Sequence, residues 1–260
     1  HESVRPLFKP LRFHLASAAV LDGVCPGQVF VDDPREPRAA FMVSPEGCYL
    51  AGDPQLPGFS ERFNGALNTG ELLPGGVGVL FLVVHPEDWR DQLPSLLVAH
   101  TFETAERFHY VCRSIQHDWR AALPKACHAH RIDRVLIDQK RDLLPDPIIG
   151  WMKGNWGSVE AFLDSGFGTL TICGGDIVSW SLADCASGRA CEIGIRTVPS
   201  HRRRGLAAAT AAANVELALS LGFDVVGWHC PQDNEGSIHT AEKVGFELER
   251  AYKAYFSRLD

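Results

Sequence analysis

Residues 192–207 read EIGIRTVPSHRRRGLA and join a strand-like stretch to the start of a helix. The β-branched residues before Val198 predict a strand, and the run from Gly205 to Leu221, followed by Gly222, predicts a helix with a glycine at its C-terminus. Backbone N–H groups at a helix start are unsatisfied and carry partial positive charge. The arginine triplet 202–204 adds three cations, and Gly205 allows close backbone approach. Together these features predict a phosphate-binding site.

The sequence around this stretch predicts an α+β domain with a mixed sheet. The segments from Phe167 onward alternate between strand and helix patterns, with Gly174-Gly175 as a hairpin turn. Strands are predicted at Gly168–Cys173, Ile177–Leu182, Ala190–Val198, Val225–Cys230 and in extended pieces over Phe246–Phe256; a helix is predicted at Glu235–Lys243. The 205–221 helix is expected to bury one stripe, formed by Leu206, Ala209, Ala213, Leu217 and Leu221.

The first half of the chain has weaker signals and no phosphate loop. Strands are predicted at Val29–Val31, Ala39–Val43, Val77–Val84 (after Pro74-Gly75-Gly76) and 107–112; helices are predicted at Phe59–Leu67 and Glu87–Ala99, with connection and an entering helix over His117–Leu144. We therefore expect two domains, 1–125 and 126–260. The first domain is either a degenerate copy of the second or an unrelated α/β cap.

Composition excludes several classes of protein. The chain has 260 residues, 45% hydrophobic and 22% charged, as in ordinary folded domains. The net charge of −7 argues against a nucleic-acid partner. The longest core-like run, Val77–Val84, is too short to span a membrane, and no secretory signal pattern opens the sequence. We expect a cytoplasmic protein, and the oligomeric state is left open.

The eight cysteines predict neither a disulfide scaffold nor a structural zinc site. They lie at positions 25, 48, 112, 127, 173, 185, 191 and 230, and no two form a CxxC pair. Reduced, mostly buried thiols are expected. The best metal candidate is Cys127-His128-Ala129-His130, but ligands two residues apart cannot share a helix face and no second cluster completes the site. No metal is expected.

Two motifs in this order resemble the GCN5-related N-acetyltransferase (GNAT) superfamily. Arg202-x-x-Gly205-x-Ala207 is similar to the pyrophosphate signature of that family, and the preceding strand stands where its fourth strand does. Downstream, Asn234, Ser237 and residues 241–246 (AEKVGF) resemble the ending of its fifth-strand and fourth-helix region. The residues of both motifs are most similar to those of the subgroup that includes the zwittermicin A resistance acetyltransferase.

This resemblance implies acetyl-CoA as co-substrate, bound where the fourth and fifth strands splay apart. It places the pantetheine on backbone of the fourth strand and the pyrophosphate on amides of the loop and helix start. The implied contacts are Ile195, Arg196, Thr197, Val198, Arg202, Arg203, Arg204, Gly205, Leu206, Ala207, Ala208, Asn234 and Ser237.

The resemblance leaves the acid and the base of the reaction open. Many family members carry a tyrosine acid seven residues after the asparagine, and this position is Ala241 here. Tyr252 or Tyr255 are substitutes, or they pack as ordinary aromatics. Glu192 is the candidate base, although counting back from Gly205 gives Cys191 unless a bulge shifts the register. The alternatives are that Glu192 pairs with an arginine as a structural carboxylate, or that His229 or His239 is the base.

The resulting hypothesis is acetyl transfer from acetyl-CoA to a primary amine, with a small-molecule acceptor. The alternatives are acetylation of protein lysines or N-termini, and a non-catalytic acyl-CoA-binding sensor module. The first domain is expected to supply one wall of the acceptor pocket. Trp151, Trp156 and Trp180 are the candidates to line that pocket. At least one of the three is expected to pack in the core instead.

Overall fold

A computed structural model describes residues 2–73, 78–98, 100–116, 118–140 and 143–259. The chain forms two compact units. The first runs to Arg107 and resumes at Tyr252, and the second spans Phe108–Ala251. The chain therefore leaves the first unit and returns to it inside two strands, β5 (Phe102–Cys112) and β11 (Glu247–Arg258). The sequence patterns predict a single boundary, at 125/126.

The first unit combines helices with a mostly antiparallel set of strands. Its strands are ordered β1-β2-β3-β4-β11, and only the β3–β4 pair is parallel. Its elements are α1 (Arg5–Phe8), α2 (Leu15–Leu21), β1 (Gln28–Val31), β2 (Ala39–Ser44), β3 (Gly47–Gly52), α3 (Phe59–Asn68), β4 (Val79–His85) and α4 (Trp89–Leu96).

Sequence patterns predicted β1, β2, α3, β4 and α4 of this unit and missed α1, α2 and β3. The predicted helix at Phe59–Leu67 corresponds to α3, and the strand predicted from Val77 corresponds to β4. Val77 and the preceding 74–76, like Ala99 and His117, lie outside the described residues. Strand β3 was missed because residues 48–51 are all buried, so the strand shows no alternation of apolar and polar residues.

The second unit holds the predicted α+β sheet. Its strands are ordered β11-β5-β10-β9-β8-β7-β6, with β9 and β10 parallel and β6 to β9 antiparallel. Its remaining elements are β6 (Cys127–Arg131), α5 (Arg134–Lys140), α6 (Asp146–Trp156), α7 (Val159–Ser165), β7 (Gly168–Cys173), β8 (Asp176–Ser187), β9 (Ala190–Thr197), α8 (Leu206–Ser220), β10 (Val225–Pro231) and α9 (Glu235–Val244).

Helix α8 packs against the sheet through small and polar side chains. Asn214 donates to the Ser181 hydroxyl of β8 at 3.0 Å, and the Thr210 and Thr171 hydroxyls lie 2.7 Å apart. Buried residues surround the helix, as expected of a helix enclosed on most sides. The predicted stripe is wrong at its end, because Leu221 is exposed beyond the last helical turn. The predicted Gly222 follows with a positive φ of 96°.

The expectation of reduced thiols throughout is wrong for one pair. Cys127 of β6 and Cys173 of β7 are directly opposite each other in register and form a disulfide. Cross-strand partners bring their Cβ atoms close enough for this bond. The six other cysteines are buried and form no disulfide. Among the described residues, no helix has the length and apolar character that a membrane span requires.

Candidate active site

Strands β9 and β10 pair over only three residues. The parallel register joins Ala190 to Val225, Cys191 to Val226 and Glu192 to Gly227. Beyond Glu192, β9 continues to Thr197 and β10 to Pro231, and the described residues form no further pair there. The two strands therefore diverge at Glu192, and the edge of β9 that faces β10 is left without a neighbouring strand.

A cleft of about 1040 Å³ lies at this divergence. The end of β9, the loop before α8 and the first turns of α8 and α9 line it. It brings together eleven of the thirteen residues predicted to contact acetyl-CoA: Ile195, Arg196, Thr197, Arg202, Arg203, Gly205, Leu206, Ala207, Ala208, Asn234 and Ser237. Val198 and Arg204 do not line it.

The free edge of β9 presents backbone hydrogen-bonding groups to the cleft. The Val198 N–H donates to the Val178 carbonyl of β8 at 2.9 Å, which makes Thr197 and Ser179 a non-hydrogen-bonded pair. Thr197, and Ile195 two residues earlier, therefore direct their N–H and C=O groups away from β8. The Arg202 Nε already donates to the Thr197 carbonyl at 3.2 Å. An extended ligand can pair with this edge as an added strand would.

The loop before α8 turns sharply at two residues with positive φ. Arg203 has φ 61° and Gly205, which precedes the helix, has φ 79°. A Cβ built at Gly205 would meet no atom within 4 Å, because the space beside it is the open cleft. The first turn of α8 contains no acidic residue, and no side chain caps it. The N–H groups of residues 206–208 therefore remain available to an anion.

The charge of the cleft matches an anionic ligand. The lining carries the cations Arg196, Arg202, Arg203 and Lys243, against the single carboxylate of Glu235 among the lining residues described. Because the protein as a whole has a net charge of −7, this local excess of positive charge stands out from its surroundings.

The start of α9 forms the opposite side of the cleft. The Asn234 side chain caps this helix by accepting from the Ser237 N–H at 3.0 Å. The Ser237 hydroxyl in turn accepts from the Trp228 indole N–H of β10 at 3.0 Å. These two predicted ligand contacts therefore also hold α9 in place, and the Asn234 amide N–H₂ remains for a ligand.

Glu192 lies at the apex of the divergence, in a buried cluster of titratable groups. One carboxylate oxygen lies 3.1 Å from the His229 Nε2 of β10, and the other accepts from the Cys185 thiol of β8 at 3.4 Å. The Glu192 side chain is 7% exposed and that of His229 is 13% exposed. The structure thus places an imidazole beside the predicted base.

A second histidine, His109 of β5, extends this cluster. Its ring stacks on that of His229 with centroids 4.4 Å apart and planes at 14°. The His109 Nδ1 lies 3.0 Å from a carboxylate oxygen of Glu249 on β11. Burial, followed by the neighbouring charge of His229, lowers the pKa of His109 to about 4. His109 is therefore neutral at physiological pH.

The GNAT acetyltransferase family model matches residues 5–255 of this sequence. The chain belongs to the GNAT acetyltransferase family. It is therefore an acetyltransferase, and acetyl-CoA is the acetyl donor that this family uses in general.

Individual relatives agree with this assignment. The uncharacterized N-acetyltransferase YdfB of Bacillus subtilis (strain 168) is 26% identical over 242 residues, which cover 92% of this chain and 88% of the relative. A GCN5-related N-acetyltransferase-like protein from Streptococcus suis 89/1591 is 26% identical, with a TM-score of 0.65, over 89% of this chain and 88% of its own. A GCN5-related N-acetyltransferase from Kribbella flavida, 15% identical with a TM-score of 0.57 over 95% of each chain, shares the fold.

The acetyltransferase holds no tyrosine at the position where many family members have one. Ala241 is fully buried in α9. The two proposed substitutes are engaged in the first unit: the Tyr255 hydroxyl donates to Glu87 at 2.9 Å, and the Tyr252 hydroxyl accepts from Arg107 at 3.0 Å. Neither lines the cleft.

The three tryptophans predicted to line the acceptor pocket have different roles. Trp156 and Trp180 are buried in the core. Trp151 of α6 lies against Gly194 of β9, where a Cβ would approach its ring to 2.4 Å, and its indole N–H donates to Asp184 at 2.6 Å. Trp151 therefore covers β9 two residues beyond Glu192.

One cluster of potential metal ligands occurs among the described residues, and it is not the predicted Cys127–His130 segment. One donor atom each from His109, Glu192 and His229 lie within 4.8 Å of one another. However, the lone pairs of two nearly parallel imidazoles lie in separate planes and do not converge on a single ion.

Sequence reasoning did not find His109 or Glu249. Both lie far from β9 in the chain, and neither sits in a motif, so only the order of strands β9-β10-β5-β11 brings them to Glu192. His229 was considered as an alternative base, and the structure places it in direct contact with Glu192.

The lowered pKa of His109 makes stability depend on pH. An imidazole in the unfolded chain titrates near 6.5, whereas folded His109 titrates near 4. Between these values the unfolded state binds a proton that the folded state does not, so the free energy of unfolding should fall as pH falls from about 6.5 to 4. Urea unfolding across this range should show a shallower decline in His109→Gln. An identical decline in both proteins would contradict the assignment.

Proposed function

We propose that this acetyltransferase transfers the acetyl group of acetyl-CoA to the primary amine of a small molecule. The observation that carries the proposal is the cleft at the β9–β10 divergence, where free backbone groups, a helix start and an excess of cations meet. Few ligands other than an extended thioester with a diphosphate match all three features.

The cofactor arm would lie along the free edge of β9. A pantetheine amide could pair there with three backbone groups: the Ile195 N–H, the Ile195 C=O and the Thr197 N–H. The pyrophosphate would accept from the N–H groups of residues 206–208, with the charges of Arg202 and Arg203 beside it. Arg202 also holds the loop through the Thr197 carbonyl, so it supports the site even without direct contact.

The reaction requires removal of a proton from the acceptor. At neutral pH a primary amine is an ammonium, and only the neutral form has the electron pair that attacks the thioester carbonyl. Glu192 at the apex of the divergence is the proposed base, and because it does not itself line the cleft it would act through water. A free N–H of β9 would polarise the carbonyl. Coenzyme A leaves as a thiolate, so the alanine at position 241 does not prevent the reaction.

The small-molecule acceptor and the zwittermicin-type subgroup rest on the resemblance of residues 192–207 and 234–246. Release of free thiol from acetyl-CoA, measured against a library of amines and against lysine peptides, tests this choice. Thiol release with peptides alone would favour protein acetylation. Binding without thiol release by any acceptor would favour a non-catalytic acyl-CoA sensor.

Gly205 tests whether the pyrophosphate lies on the loop. Gly205→Val should weaken acetyl-CoA binding at least tenfold, about 1.4 kcal/mol, because a branched side chain would occupy the cleft beside the helix start. Gly222→Val is the matched control, since Gly222 also has a positive φ and open space but lies at the other end of α8. Calorimetry should show near-parental affinity for the control. Equal affinity in both variants would place the pyrophosphate elsewhere.

Comparison of Arg203 with Arg204 distinguishes a local contact with the ligand from a general effect of positive charge. Arg203 lines the cleft and Arg204 does not. Arg203→Gln should therefore weaken acetyl-CoA binding more than Arg204→Gln does, and the difference should shrink as salt screens the charge. Calorimetry at low and high ionic strength measures this. Equal effects of both substitutions at every salt concentration would indicate a non-specific charge effect.

Glu192→Gln tests the base. The amide is nearly isosteric and cannot take a proton, so turnover should fall by about 10²-fold or more with acetyl-CoA affinity nearly unchanged. Steady-state kinetics and calorimetry on the same preparation measure both quantities. A folded variant with parental turnover would exclude Glu192, and a variant that does not fold would indicate a structural carboxylate.

A further inference from the structure

The proposed mechanism leaves three groups beside Glu192 without a role. His229, His109 and Glu249 form a line with it, from the divergence of the strands to a more exposed side chain. The side-chain exposures along this line are 7% for Glu192, 13% for His229, 7% for His109 and 36% for Glu249. Burial of Glu192 and the two imidazoles costs free energy unless each group is hydrogen-bonded or paired, so their mutual contacts need an account.

Each contact in this line has a defined geometry. The His229 Nε2 meets Glu192 at 3.1 Å, the two rings stack at 4.4 Å, and the His109 Nδ1 meets Glu249 at 3.0 Å. Gly227 of β10 permits the packing, because a Cβ there would lie 2.9 Å from the Glu192 Cγ and 3.2 Å from the His109 Nε2. Four strands therefore converge on one cluster around a glycine.

Only one of the two histidines can carry a positive charge. Two imidazolium ions at this separation would repel each other in a buried site. His109 is the one kept neutral, since burial and the charge of His229 lower its pKa to about 4. Its Nδ1–H is directed to Glu249, which sets the tautomer and the plane of the ring.

Other titratable and charged groups also contact the residues of this cluster. From β8, the Cys185 thiol donates to Glu192. On β11, Arg250 lies 3.8 Å from Glu249 and balances part of its charge. On β9, burial raises the pKa of the adjacent Cys191 thiol, which therefore stays neutral.

We infer that Glu192 and His229 act together as the base, and that His109, anchored by Glu249, is the residue that positions His229. This inference rests on the proposed function and names two further residues of the same site. In the step itself, an N–H bond of the acceptor ammonium breaks and its proton binds the Glu192–His229 pair. The electron pair left on nitrogen forms the bond to the thioester carbonyl carbon. The C–S bond then breaks, and the departing coenzyme A thiolate takes the second proton that the acceptor nitrogen loses. The Glu192–His229 pair returns its own proton to water before the next turnover.

Sharing the proton with His229 would allow Glu192 to release it again after each turnover. A buried carboxylate alone would hold the proton too tightly to release it, because burial disfavours its charged form. With His229 at 3.1 Å, the protonated pair is an imidazolium beside a carboxylate, and the unprotonated pair is a neutral imidazole hydrogen-bonded to a carboxylate. The stacked, neutral His109 ring keeps the His229 ring in line with Glu192.

The experiment measures acetyl transfer from acetyl-CoA to the amine that the parent protein uses best, as a function of pH. His229→Ala should lower turnover by about 10²-fold, and added free imidazole should restore part of it in proportion to its neutral form. His109→Ala should lower turnover about tenfold, as expected when a group that orients the base is lost. His109→Phe should recover most of that loss, because the ring is kept.

Glu247→Gln serves as the control on β11. It removes an exposed carboxylate two residues from Glu249 and should leave turnover and its pH dependence as in the parent. Parental turnover in His229→Ala, or a loss that free imidazole does not relieve while the variant remains folded, would overturn the inference. So would equal losses in His109→Ala and His109→Phe.

A separate readout keeps the inference distinct from the proposed function. NMR titration of the imidazoles in the parent protein requires no substrate. His109 should stay neutral to about pH 4. If His109 instead titrates near 6.5, its role in positioning His229 is wrong even if acetyl transfer occurs. If the parent transfers no acetyl group to any amine, the proposed function fails whatever the titration shows.

Discussion

The short pairing of β9 with β10 is the constraint on which the rest of the second unit depends. Three residue pairs hold the two strands together, and every feature of the candidate site lies at or beyond the point where they end. Divergence exposes the Ile195 and Thr197 backbone on one side and leaves room for the Arg203–Gly205 turn. It also places Glu192 at the apex, where the strands are still close enough for His229 to reach it.

Neighbouring elements oppose closure of this gap. Helix α8 is fixed to β7 and β8 through Thr210 and Asn214, so its N-terminus is held at the mouth of the cleft. Helix α9 is fixed to β10 by the hydrogen bond from Trp228 to Ser237. A rigid scaffold that presents unsatisfied N–H groups requires no reorganisation when an anion binds. No free energy of reorganisation is therefore subtracted from the affinity.

The parts of the site that lie within one continuous stretch of sequence could be predicted. The parts that depend on the order of strands in the sheet could not. The EIGIRTVPSHRRRGLA stretch contains its own strand, loop and helix start, so Gly205 and the 206–208 amides could be predicted from it. Val198 could not be excluded, because which way its N–H points depends on pairing with β8. His109 and Glu249 reach Glu192 only through β5 and β11, whose placement beside β10 has no signature in the sequence. The Cys127–Cys173 disulfide likewise depends on the register of β6 with β7.

Hydrogen–deuterium exchange with and without acetyl-CoA tests most directly whether the divergence is the cofactor site. Amides that lack an intramolecular acceptor exchange rapidly, and they are protected when a ligand accepts from them. Acetyl-CoA should slow exchange at Ile195, Thr197 and residues 206–208, and should leave the Val198 amide, already bonded to Val178, unchanged. Binding that leaves these amides unprotected, or that protects a different part of the chain, would contradict the central role of the divergent strands.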